Sequence, residues 1–130
     1  MKLEEIYTEE DSFFFDSYAF FEILKGNNKY INYEKCKIVT SKLNIFELYL
    51  GLLRDIDGNT AGIYLHKYYQ FAIDFDEQII IAAAKLKNSL NKRNLSMTDC
   101  IGYILSKQLG IKFLTGDKEF ENIENVEFVK

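Results

Sequence analysis

Four acidic residues stand where carboxylates could do chemistry in this chain. Asp16 ends the apolar run 13–15, and Asp117 follows a second short apolar run. Glu47 and Asp99 lie in two segments with helical patterns, on sides that we expect to face inward. A carboxylate in apolar surroundings is costly unless something positive joins it, and a hard cation held by oxygen ligands meets that need. The sequence therefore predicts a metal-dependent enzyme.

Short apolar runs alternate with helical patterns along the chain, an order that is typical of a parallel sheet covered by helices on both faces. The predicted strands cover residues 12–16, 36–40, 111–114 and 126–129. The first predicted helix has Ser17 as its N-cap and ends near residue 26, and the others span about 42–54, 60–71, 76–90 and 96–109. We expect an α/β fold, a three-layer α/β/α sandwich with a central, mostly parallel sheet. Active sites of such sheets lie beyond the C-terminal strand ends, where Asp16 and Asp117 fall.

The helix predicted over residues 42–54 is rich in apolar side chains. Its spacing predicts an inward-facing stripe made of Leu43, Phe46, Leu50 and Leu53. The Asp57-Gly58-Asn59 stretch that follows lacks the ligand spacing of a calcium loop, so we expect a surface turn there.

Length and composition predict one folded domain over residues 1–130, because 48% of the residues are hydrophobic and 28% are charged. No apolar stretch approaches the roughly 18–20 residues that cross a bilayer, and the acidic N-terminus lacks a signal core. Cys36 and Cys100 form no CxxC or zinc pattern, so we expect reduced core thiols in a cytoplasmic protein without membrane association. The net charge of −4 argues against broad capture of nucleic acid, although a cation bound by four carboxylates would mask much of it.

The acidic residues sit in motifs that resemble those of the PIN-domain nucleases, especially the short VapC-type toxins of prokaryotic toxin–antitoxin pairs. The motifs are an apolar strand before Asp16-Ser17, a Thr/Ser-rich helix entry leading to Glu47 and Gly51, a helix opening with Asp99, and residues 114–120, Leu-Thr-Gly-Asp-Lys-Glu-Phe. The last motif is the most specific, and the four together cover the chain from about residue 13 to residue 129.

This resemblance implies a divalent-metal RNA endonuclease that uses Mg²⁺ or Mn²⁺. The implied catalytic and metal-binding residues are Asp16, Glu47, Asp99 and Asp117, with Glu119 as a possible further ligand. Ser17 and Thr115 match hydroxyl positions that organise the site in the family. The VapC likeness further implies an antitoxin partner and a homodimer.

Substrate-binding residues are predicted among the basic side chains. Lys42 and Lys118 are the first choices because they stand closest in sequence to the acidic residues, and Arg93 is a third candidate. The sole histidine, His66, lies in a predicted helix away from every motif, and we expect no catalytic role for it.

Three other functions remain open at the level of sequence. The PIN fold also serves RNA processing outside toxin–antitoxin pairs. A signalling receiver domain is another small α/β domain with acids at strand ends, but Asp55 and Asp57 follow a helical pattern instead of a central strand. A non-catalytic PIN domain that only binds RNA or a partner would not need the complete acidic quartet.

Overall fold

The computed structural model describes residues 10–130 of the chain. Residues 1–9, which include most of the N-terminal segment predicted to lack a signal core, lie outside the described part. The strands are β1 (Ser12–Phe15), β2 (Lys37–Ser41), β3 (Ala72–Ile73), β4 (Lys112–Thr115) and β5 (Val126–Phe128). The α-helices are α1 (Ser17–Leu24), α2 (Lys42–Asp55), α3 (Gly58–Tyr69), α4 (Glu77–Ser89) and α5 (Met97–Leu109). Two 3-10 helices cover Asn28–Lys35 and Lys118–Phe120.

The five strands form one sheet in the order β3-β2-β1-β4-β5, and all four pairings are parallel. In β1, Phe13 and Phe15 enter a core shared with α1, α2 and α3, whereas Phe14 enters a core shared with α4 and α5. This division follows from the alternation of side chains along a strand. The predicted three-layer α/β/α sandwich is confirmed, with a sheet that is wholly parallel.

Helix α2 packs on a different face from the predicted one. Its buried residues are Asn44, Ile45, Leu48 and Leu52. In contrast, Phe46, Leu50 and Leu53 are exposed, at 66%, 42% and 43%. The predicted inward stripe was therefore wrong, except at the half-buried Leu43. The physical reason is that apolar residues occur on nearly every side of this helix, so periodicity alone does not select the buried face.

The connecting segments also differ from the prediction. The sequence pattern missed the 3-10 helix at Asn28–Lys35 and the two-residue strand β3. The predicted surface turn at residues 57–59 is instead the start of α3, where the Asp57 carboxylate accepts a hydrogen bond from the Thr60 N–H at 2.9 Å. Both cysteines are free and buried, as predicted. No helix within residues 10–130 is long and apolar enough to cross a membrane.

Candidate active site

Two of the four acids project from the ends of adjacent central strands. Asp16 follows β1 and occupies the N-cap position of α1, without a side-chain capping bond, so the predicted N-cap Ser17 is the first helical residue. Asp117 follows β4 and caps the short 3-10 helix by accepting a hydrogen bond from the Glu119 N–H at 3.0 Å. Between them, the Thr115 hydroxyl donates to Asp16 Oδ2 at 2.7 Å and accepts from the Asp117 N–H at 3.1 Å. The Thr115 hydroxyl is thus hydrogen-bonded to the side chain of one strand-end acid and to the backbone of the other.

Glu47 reaches the same region from α2. The Ser17 hydroxyl donates a 2.6 Å hydrogen bond to Glu47 Oε1, and the buried Asn44 side chain donates to Ser17 Oγ at 3.1 Å. The Ser41 hydroxyl donates in turn to Asn44 Oδ1 at 2.6 Å. Asn44 and Glu47 stand three residues apart and share a helix face. A chain of hydrogen bonds, buried up to Ser17 and half-buried at Glu47, holds the carboxylate.

Asp99 is placed by the first turn of α5. Ser96 and Asp99 form a reciprocal capping box, in which each side chain accepts from the other residue's backbone N–H at 2.8–3.0 Å. These bonds fix the direction of the carboxylate and leave part of its oxygen surface available.

The four carboxylates line one open pocket of about 430 Å³. Asp16 is only 3% exposed. Its burial raises the pKa of its carboxyl from 3.8 to about 8, with the nearby Asp99 charge adding to the effect and the Thr115 hydrogen bond opposing it. Burial also raises the pKa of Asp99, against the hydrogen bonds from Ser96. None of the four acids forms an ion pair with a basic side chain of residues 10–130.

The donor chemistry of this pocket fits a hard divalent cation. Carboxylate oxygens are the ligands that Mg²⁺ and Mn²⁺ prefer, and the buried, unpaired Asp16 marks where positive charge is missing. As the side chains stand, however, no group of three or more His, Cys, Asp or Glu residues in the described part of the chain is arranged to hold a metal ion. The residues therefore match the cation in type and location, without forming a ready-made ligand cage.

Ser17 also lines this pocket, whereas Glu119 and the three basic candidates lie outside it. Glu119 Oε2 accepts a hydrogen bond from the Asn94 N–H at 3.1 Å. Arg93 donates to the Glu119 backbone carbonyl at 2.7 Å, so its guanidinium supports a loop. Lys42 pairs with Asp74 at 3.0 Å and lines a different cavity, and Lys118 is exposed on the short 3-10 helix.

Two contributors to the site were missed in the sequence. Arg54 lines the acid pocket and is exposed, and it stands seven residues after Glu47, the spacing that returns to the same helix face. That spacing was a usable signal. Asn44 is fully buried beneath Glu47, but a buried asparagine has no signature in one sequence.

The PIN domain family matches residues 13–126 of the chain. No curated protein matches the sequence of this chain significantly. The fold is similar to that of VapBC-1 from nontypeable Haemophilus influenzae, with a TM-score of 0.71 and 18% identity over 92% of this chain and 97% of the other. It is also similar to VapBC2 from Rickettsia felis bound to a promoter DNA fragment (TM-score 0.69, 16% identity, 91% and 97% covered). A toxin–antitoxin complex from Klebsiella pneumoniae shows the same likeness (TM-score 0.67, 16% identity, 87% and 93% covered).

The family match spans the strand-end acids, α2 and the capping box of α5, which together build the acid pocket. The wholly parallel five-stranded sheet and its two helical layers agree with that match. This chain belongs to the PIN domain family.

Proposed function

We propose that this protein is a divalent-metal-dependent endoribonuclease and the VapC-type toxin of a toxin–antitoxin pair, acting as a single domain in the cytoplasm. One observation carries the proposal: the buried Asp16 shares a pocket with Glu47, Asp99 and Asp117, and no basic side chain of residues 10–130 pairs with any of them. Membership of a nuclease family supplies the class of reaction.

The four carboxylates would hold the Mg²⁺ or Mn²⁺ ion. When bound, such an ion polarises a phosphodiester and lowers the pKa of a water molecule. The chain's own residues position the ligands, since Thr115 orients Asp16 and Ser17 orients Glu47. Arg54 lines the pocket wall and would contact an RNA phosphate there.

The toxin role is supported by three solved structures of similar fold, which are VapBC or toxin–antitoxin complexes. A protein partner also needs a surface. An open, almost wholly apolar groove of about 400 Å³ between α4, α5 and the start of α2 supplies one, with Ile80 and Met97 exposed on its wall. An antitoxin and a second copy of the chain are the two expected partners, and light scattering of the protein with and without the antitoxin measures both.

RNA cleavage tests the proposed activity directly. Wild-type protein should cleave RNA with Mg²⁺ or Mn²⁺ and lose this activity in EDTA. Asp16→Asn and Asp117→Asn should each lose at least about a hundredfold in rate, because each removes a charge that the cation requires. Asp55→Asn, which makes the same charge change at an exposed position outside the pocket, should retain activity.

Cleavage that persists unchanged in both pocket variants would contradict the site assignment. If wild-type protein neither cleaves RNA nor binds metal, the chain is a non-catalytic PIN domain. RNA cleavage without growth arrest on expression, and without an antitoxin gene beside its own, would instead assign it to RNA processing.

A further inference from the structure

We propose that the cavity between α2 and α3 is a subsite for unpaired RNA bases, so that the substrate is single-stranded beside the point of cleavage. This inference rests on the proposed ribonuclease function and deepens it. The cavity measures about 580 Å³, within the range of pockets that bind small molecules. Its walls carry the aromatic residues Phe46, Tyr49 and Tyr69 and the basic residues Lys42 and His66.

Two of the three aromatic side chains of this cavity are largely exposed, and Tyr49 is half-buried. Phe46 is 66% exposed and Tyr69 is 51% exposed, whereas most phenylalanines of this chain are buried in its two cores. An exposed aromatic ring costs free energy unless another surface covers it. Flat rings accept stacked bases of any type, which is how sequence-tolerant proteins hold single-stranded nucleic acid.

The charges around the cavity favour a nucleic acid. Lys42 lies on the wall from the start of α2, and Lys67, next to the lining residue His66, lies in the last turn of α3. The Lys42–Asp74 ion pair joins side chains that are 55% and 85% exposed, so a phosphate can displace Asp74 at little cost. Aromatic rings beside a cation are the two components of a single-strand binding groove.

Helix α2 connects this cavity to the acid pocket. Phe46 lies in the cavity and the adjacent Glu47 lies in the acid pocket, while Leu50 and Arg54 continue the pocket wall one and two turns further on. One helical turn rises about 5.4 Å, so a strand laid along α2 would pass from the aromatic rings to the carboxylates within a few nucleotides. The base bound in the cavity would then set the register of cleavage.

The test measures RNA binding in the full chain without relying on cleavage. Fluorescence anisotropy is recorded with the Asp16→Asn protein and a labelled single-stranded RNA of about 12 nucleotides, within the site sizes of such grooves. Adding Phe46→Ala or Tyr69→Ala should raise the Kd about tenfold, and Phe46→Tyr should restore most of the affinity. Leu109→Ala, which removes an exposed apolar side chain from the end of α5, should leave the Kd unchanged.

A duplex RNA of the same length provides the second measurement. It should compete poorly with the single strand, and the preference for single strands should shrink in Phe46→Ala. Unchanged Kd values in both alanine variants would overturn the inference even if wild-type RNA cleavage is intact. Loss of antitoxin or self-association with unchanged RNA affinity would also overturn it, since the rings would then form a protein interface. Absence of RNA cleavage by the wild type contradicts only the proposed function, because binding is measured separately.

Discussion

When no cation is bound, the ionised form of the buried Asp16 carboxyl lowers the stability of the fold. Its carboxyl has a pKa of about 8 when folded and an ordinary value of 3.8, so the folded state binds the proton more tightly than the unfolded state. The stability that protonation provides is present at low pH and is lost as the pH rises from about 4 to about 8. Above about pH 8, the protein without a bound cation therefore carries a destabilising charge in its core.

Replacing this carboxyl by an amide should remove the loss of stability that ionisation causes. Asp16→Asn keeps an oxygen that can accept the Thr115 hydrogen bond and cannot ionise. In EDTA at pH 8, we expect its free energy of unfolding to exceed that of the wild type by about 1–2 kcal/mol, with a smaller difference at pH 5. Urea unfolding at the two pH values measures these free energies. Asp55→Asn is the control, and its free energy of unfolding should equal that of the wild type at both pH values. Equal stability of Asp16→Asn and wild type at pH 8 would show that the buried charge is already compensated.

Asn44 is the residue on which the orientation of Glu47 depends. Asn44→Ala leaves the buried Ser17 and Ser41 hydroxyls without their shared partner, so it should lower the free energy of unfolding by about 1–3 kcal/mol. Asn88→Ala, at an exposed position of α4, should change it by less than about 0.5 kcal/mol. Chemical denaturation of both variants measures these free energies of unfolding. If Asn44→Ala lowers the free energy of unfolding only slightly, a water molecule replaces the amide as hydrogen-bond partner.

At the residue scale, the four acids and the hydroxyls of Ser17 and Thr115 were named from the sequence, and the structure brings them together. Asn44 and Arg54 were missed. Asp16 and Asp117 were found because a polar residue ending an apolar run marks a strand end. Arg54 was recognisable from its spacing to Glu47, whereas the buried Asn44 owes its place to contacts with Ser17 and Ser41 that are created only by folding.

Among the elements, β4 depends on the absence of a side chain at Gly116. A Cβ atom at this position would collide with the Val129 carbonyl oxygen and the Tyr18 ring. Gly116→Ala should therefore destabilise the protein by about 1–3 kcal/mol and reduce activity, because Thr115 and Asp117 flank the site of the clash. Gly62→Ala is the matched comparison.

A Cβ at Gly62 would meet no atom within 4 Å, and its position inside α3 favours alanine. That variant should gain up to about 1 kcal/mol of stability. Thermal unfolding of both variants tests the contrast, and similar Tm shifts in the same direction would refute the steric explanation.

Element prediction succeeded where hydrophobic patterns were sharp. The strands 12–15 and 112–115 are uninterrupted apolar runs at their centres, and α5 has a serine cap and a terminal glycine. It failed for the face of α2, which is apolar on several sides, and for β3, whose two residues pair only because Thr40 and Ser41 lie alongside them. A strand this short has no periodicity to detect.

For the whole molecule, cation binding should be coupled to stability. An ion that binds only the folded state raises the free energy of unfolding by about 2.7 kcal/mol when its concentration is a hundred times its Kd. We expect Mn²⁺ to raise the Tm of the wild type, more strongly at pH 8 than at pH 6, because the cation competes with the Asp16 proton. Mn²⁺ should raise the Tm of Asp99→Asn by less than that of the wild type. The rise in the Tm of Asp55→Asn should equal that of the wild type. Equal shifts in all three proteins would indicate binding outside the pocket.

The strand order places residues from distant parts of the sequence side by side, since β1 pairs with β4 and the Asp16 carboxylate accepts a hydrogen bond from Thr115. A nascent chain that has not yet supplied β4 has no Asp117 and no acid pocket, however well its earlier helices have formed. Synthesis would thus delay assembly of the acid pocket until β4 has been made. Under the proposed function, a truncated product that lacks β4 would not cleave the RNA around the ribosome.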